Sequence, residues 1–137
     1  MTTASQGHVD VIVVDDDARI RVLLEDELLA RGLSTLLCGS VADLTAQLKQ
    51  RRASLVLLGM RGREASPLRQ LQVLRQSGCR LPVVVLSADD SDGLLIEAAV
   101  CGAQELVHKR ELLRRLPQLL EQYLNAADPE QPPLKDP

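Results

Sequence analysis

Three kinds of reactive side chain stand at the ends of apolar runs in this sequence. Three consecutive carboxylates, Asp15, Asp16 and Asp17, follow Val9–Val14; a hydroxyl, Ser87, follows Pro82–Leu86; an amine, Lys109, comes just after Glu105–Val107. Short runs rich in Val, Ile and Leu read as buried parallel strands, and in open α/β sheets ligands bind outside the carboxyl ends of such strands. Adjacent carboxylates repel one another, so the acidic tip calls for a cation among them: a metal ion, a Lys or an Arg. His8 and His108 flank strands and read as solvated, since nothing in the sequence pairs either with a nucleophile.

The elements that position these groups alternate along the chain. Ala18–Arg31 is predicted as the first helix, with Ile20, Leu23, Leu24 and Leu28 at helical spacing and Gly32 as its stop. Leu33–Cys38 is the second strand, and Ser40 with Asp43 caps a helix whose apolar face is Val41, Leu44 and Leu48. Ser54–Leu58 reads as a third strand, with a loop from Gly59 to Ala65. Ser66 and Pro67 then open a helix through Leu68, Leu71 and Leu74 that Gly78 closes. After the fourth strand, Pro82–Leu86, Asp89, Asp90 and Asp92 crowd the start of a helix running to Cys101, where negative charge suits the helix dipole. Glu105–Val107 is a short fifth strand. Pro117 is placed in the first turn of the last helix, with Leu120, Tyr123 and Leu124 buried and Arg110–Leu116 as a connecting turn or irregular helical segment.

Alternating strands and helices with short connections imply βαβ crossovers and a parallel sheet covered on both faces. Five strands fit the flavodoxin-like order 2-1-3-4-5, which gathers Asp15, Asp16, Gly59, Ser87 and Lys109 around one site. The core must be built from Leu, Val, Ile and Ala, because the 137 residues include no Phe, no Trp and one Tyr. A net charge of −3 with no basic run argues against nucleic acid as a partner. No apolar run reaches the ~18 residues of a membrane span, and Met1–Gln6 lacks the features of a signal peptide. The expectation is a soluble, cytoplasmic protein with no membrane partner. Cys38, Cys79 and Cys101 are odd in number and form no Cys-x-x-Cys pair, and read as reduced thiols.

Val-Val-Asp-Asp-Asp, Val-Val-Val-Leu-Ser-Ala, Cys-Gly-Ala-Gln-Glu-Leu-Val and the Lys109 that follows resemble, in type and spacing, the CheY-like receiver domain of two-component response regulators. The resemblance implies a five-stranded CheY-like fold over 8–126, with 1–7 as an N-terminal extension and 127–137 as a Pro-rich tail or linker. It implies that Asp15 and Asp16 match the positions that hold Mg²⁺, Ser87 the hydroxyl that bonds a phosphoryl group, and Lys109 the balancing cation. It also implies protein partners: a histidine kinase, an output domain or another signalling protein, and a homodimer through the face of helix 4, strand 5 and helix 5.

The chain departs from the pattern together at several places. The phosphoacceptor Asp at the end of strand 3 is replaced in Leu55-Val56-Leu57-Leu58-Gly59 by a residue with no side chain to phosphorylate. Arg61 and Arg63 stand in the following loop, Leu106 at the aromatic switch position, and Arg110 where a Pro usually follows the Lys. The chain therefore reads as a degenerate receiver, not an enzyme, that acts as a phosphorylation-independent interaction module. Mg²⁺ is not expected, beyond weak binding at Asp16 and Asp15. The alternative is a phosphoaccepting receiver of a phosphorelay, with the acceptor displaced or removed by mutation. A flavin-binding relative fits less well, since the loop after strand 1 is acidic and the aromatic residues that would stack a flavin are missing, Tyr123 being the one aromatic side chain and part of the last helix's buried face. A guanidinium, from Arg61 or else Arg63, is expected in the metal's place against Asp15 or Asp16. Candidate interface residues are Leu95, Ile96, Leu106, His108 and Tyr123. The plainer readings are a strand-end acidic pair kept for solubility, Ser87 as a helix cap and Lys109 as a counter-ion.

Overall fold

A computed structural model describes residues 7–60, 66–88 and 92–126. The strands are β1 (His8–Val14), β2 (Thr35–Cys38), β3 (Arg52–Met60), β4 (Val83–Ser87) and β5 (Glu105–His108). The helices are α1 (Ala18–Ala30), α2 (Val41–Leu48), α3 (Ser66–Gln76), α4 (Asp92–Val100) and α5 (Leu112–Ala126), with a 3₁₀ turn, Lys109–Glu111, before α5. The strands form one parallel sheet in the order β2-β1-β3-β4-β5. This is the expected flavodoxin-like topology.

Two apolar layers hold the sheet. On one face Ile12, Val14, Val56, Leu58, Val83 and Val85 pack against α2, α3 and α4 through residues such as Leu44, Leu71 and Ala98. On the other, Val11, Val13, Leu55, Leu57, Val84 and Leu86 pack against α1 and α5 through Leu24, Leu28, Leu116 and Leu119. Strands buried on both faces have no polar side to show, which is why they read as unbroken apolar runs. Three helices end in the same way. Gly32, Gly78 and Gly102 take positive φ (79°, 104° and 108°). The next N–H then reaches back to the helix, from Leu33 to Leu28, Cys79 to Leu74 and Ala103 to Ala98, which satisfies carbonyls the helix would otherwise orphan.

Several expectations need correction. β3 runs two residues past Leu58, because Gly59 and Met60 continue the ladder opposite Leu86 and Ser87. Pro117 lies inside α5 rather than in its first turn. A proline there costs about 3 kcal/mol through a lost hydrogen bond and a clash. Against that, Leu112, Leu116, Leu119, Leu120 and Tyr123 form one buried stripe, and burying each large apolar side chain stabilises by about 1.5–3 kcal/mol. The stripe wins, and Leu113, whose carbonyl loses its partner, is on the exposed side where water can hydrate it. Leu23 is also exposed rather than part of the α1 core face.

His8 is exposed but not merely solvated. Its Nε2 lies 2.9 Å from Ser54 Oγ, and its Nδ1 lies 3.8 Å from Asp10 Oδ1. The order of groups is that of a serine nucleophile, base and carboxylate, yet the last gap exceeds hydrogen-bond range. Asp10 is committed instead to the Ser34 N–H at 2.9 Å. The group joins strand ends. All three cysteines are free and buried, and burial pushes the Cys38 thiol up to about 11, a value at which it stays protonated at neutral pH. Among the described residues no helix is long and apolar enough to cross a membrane.

Candidate functional site

The site forms where β1, β3, β4 and β5 end. Val14 pairs with Leu58 across β1 and β3, and Met60 and His108 flank Ser87 from either side. The strand order thus brings Asp15, Gly59, Ser87 and Lys109 together, as the sequence reading placed them. Asp15 and Ser87 are buried polar residues. Asp16 is exposed at the mouth. Arg61 and Arg63 lie outside the described residues, as do Asp89 and Asp90.

The cation that the structure places on Asp15 is Lys109. Its Nζ stands 3.1 Å from Asp15 Oδ2, with the Asp15 side chain 1% exposed and that of Lys109 19%. Oδ2 has no partner in hydrogen-bond geometry among the described residues, so the contact is an ion pair rather than a directed bond. Oδ1 accepts the Asp17 N–H at 2.9 Å. Asp17 caps α1 by accepting the Arg19 N–H at 2.9 Å. Hydrogen bonds from the Arg19 side chain and then its backbone hold the Asp17 carboxyl down at about 2.

One contributor escaped the sequence reading. Arg21 Nη1 donates to the Asp15 carbonyl at 2.6 Å and so braces the loop from the first turn of α1. Its signal was its place one helical turn beyond the acidic run. A cavity of about 260 Å³ opens beside Asp15, bounded by Asp16, Gly59, Ser40 and Gln70. Ser40 is engaged as the α2 cap, its Oγ accepting the Asp43 N–H at 3.2 Å.

Among the described side chains, the oxygens of Asp15 are not free to take Mg²⁺ as arranged. One oxygen of Asp15 is taken by a backbone N–H and the other faces an ammonium, and the tip of β3 supplies no carboxylate. No group of three or more His, Cys, Asp or Glu among the described residues could hold a metal ion.

Leu106 sits opposite Val85 and is half-buried against the α2–α3–α4 core layer. Tyr123 is buried, with its hydroxyl donating to Glu105 Oε2 at 2.5 Å. Tyr123 is thus on the buried face of the last helix, as its spacing predicts, and neither residue presents a freely exposed side chain for an interface; a charge at Leu106 must cost stability as well as any binding. His108 is half-buried and its Nδ1 accepts the Arg110 N–H at 3.2 Å. Leu95 and Ile96 do project from α4, 50% and 64% exposed, with Val100 beside them.

The response regulator receiver domain family matches residues 11–121. This chain belongs to that family. It is 29% identical over 119 residues to the transcriptional regulatory protein ZraR of Salmonella typhimurium, covering 87% of this chain and 27% of ZraR. It is 29% identical over 130 residues to the response regulator MprA of Mycobacterium sp., covering 92% of this chain and 56% of MprA. The chain therefore spans only part of the length of these relatives. Among solved structures, the receiver domain of NtrX from Brucella abortus superposes with a TM-score of 0.75 at 27% identity, over 86% of this chain and 100% of that one.

Proposed function

We propose that this receiver domain is a pseudo-receiver, a phosphorylation-independent protein-interaction module in two-component signal transduction. The observation that carries this reading is Gly59. Phosphoryl transfer to a receiver needs a nucleophilic carboxylate at the centre of the pocket, and the tip of β3 presents none. Two further features support it. Lys109 is engaged by Asp15 rather than waiting for a phosphoryl oxygen, and Leu106 has no hydroxyl with which to report a change in the pocket.

The domain binds rather than catalyses, and it needs neither Mg²⁺ nor another cofactor. Its partner is a protein: a histidine kinase, an output domain in a longer chain, or another signalling protein. The working face is that of α4, β5 and α5, where Leu95, Ile96 and Val100 are exposed together on one short helix. A second copy of the chain is one occupant of that face. Neither nucleic acid nor a membrane suits a chain of net charge −3 with no basic run, and the cytoplasm is the compartment in which such a partner would be met.

Intact-mass measurement after incubation with acetyl phosphate and Mg²⁺ tests this. No added mass is expected. A phosphoryl group on the unmodified chain would overturn the reading and favour the phosphorelay alternative with a displaced acceptor.

A further inference from the structure

Asp15 and Gly59 follow the paired residues Val14 and Leu58 and are neighbours at the strand tips. A β-carbon built on Gly59 would overlap Asp15 Oδ2 and lie 2.6 Å from Cγ and 3.1 Å from Cβ of the same side chain. The position of a β-carbon is set by the backbone, so no rotamer of a larger residue relieves this overlap. The obstacle is also well held, by the Asp17 N–H on one oxygen and the Lys109 ammonium against the other.

We propose that the Asp15 carboxylate and a side chain at position 59 are alternative occupants of one space, and that Gly59 thereby makes Asp15 an internal latch on Lys109. The latch ties the tip of β1 to the start of the Lys109–Glu111 turn and holds that turn, and the entry to α5, in one arrangement without any ligand. It deepens the interaction-module reading and rests on it for its purpose, a face kept ready without phosphorylation. A buried pair of this kind is stable only as a pair, since a lone carboxylate at that depth is strongly disfavoured. Displacing Asp15 must therefore release Lys109. It follows that Gly59→Asp does not simply restore an acceptor, because the new carboxylate must first expel the old one.

The test is acetylation of Lys109 in the full chain by acetic anhydride, read by peptide mass against Lys49 as internal reference. Gly59→Ala introduces only the β-carbon. It should speed Lys109 acetylation about tenfold, the change that accompanies roughly 1.4 kcal/mol easier release of the ammonium. Asp15→Asn keeps the size of the side chain and removes its charge, and should speed the reaction similarly. Unchanged Lys109 reactivity in both variants, with native circular dichroism, overturns the latch. Should Gly59→Ala fail to fold, the Asp15→Asn result decides alone, and a wild-type rate there overturns the proposal. The two readings fail separately: a phosphoryl group gained by the wild-type chain removes the pseudo-receiver and leaves the latch, whereas unchanged acetylation does the reverse.

Discussion

The two ends of the sheet treat charge differently. Where strands begin, charged groups are tied by directed hydrogen bonds between elements. Arg75 of α3 donates to the Gly102 carbonyl at 3.1 and 2.8 Å, to the Cys79 carbonyl at 3.2 Å and to Gln104 Oε1 at 3.1 Å. That same Gln104 oxygen accepts the Val83 N–H at 2.7 Å. Glu105 accepts from Tyr123 and, at 2.8 Å, from Arg115. Where strands end, the deepest charge, Asp15, has an oxygen whose near neighbour is an ammonium without hydrogen-bond geometry. The first arrangement staples α3, β4, β5 and α5 and has a structural explanation. The second is a weaker source of stability, because replacing a buried ion pair by well-packed apolar residues is often neutral or stabilising, and it lies at the end of the sheet that carries the receiver pocket.

The largest effect should come from the tip. Lys109→Met leaves a buried carboxylate without its counter-ion and is expected to lower unfolding free energy in urea by about 3–5 kcal/mol, with much of the loss recovered when Asp15→Ala is added. A loss under about 1 kcal/mol would place the pair with ordinary surface contacts and erase the contrast.

Next comes the staple. Arg75→Ala removes charge-assisted bonds to part-buried carbonyls, and a cost of about 2 kcal/mol is expected, with the receiver pocket unaltered as read by Lys109 acetylation. A change in that acetylation would mean the two ends communicate. Gly102 should be as sensitive, since a β-carbon there would sit 2.8 Å from Arg75 Cγ and the residue has φ of +108°.

The smallest effect is a titration. Burial, then the hydrogen bond to Glu105, push the Tyr123 phenol up from 10.0 to about 12. The folded state holds this proton more tightly than the unfolded chain does. The contribution to stability is therefore complete below pH 10 and is lost as pH rises through about 12. Tyr123 is the only aromatic residue, so tyrosinate absorbance reads it alone. A midpoint at the ordinary value would show that Glu105 does not hold the hydroxyl in solution.

Much of this molecule follows from its amino acids in order. The apolar runs, the glycines that stop α1, α3 and α4, the Ser40 cap and the order of strands are local or follow from the handedness and shortness of connections. So does the convergence of Asp15, Gly59, Ser87 and Lys109, since strand order alone decides which tips are neighbours. Other features depend on groups remote in sequence. Pro117 sits inside α5 because a stripe of leucines finds the sheet beneath it, which no local propensity reports. The burial of Tyr123 follows from its place on the helix stripe, but the acceptor for its hydroxyl is Glu105, 18 residues away, which no local pattern reports. That Lys109 pairs with Asp15, on the strand tip beside Gly59, is decided by the space that a missing side chain leaves. A sequence lists what is absent at position 59, but only packing shows which neighbour moves into the gap.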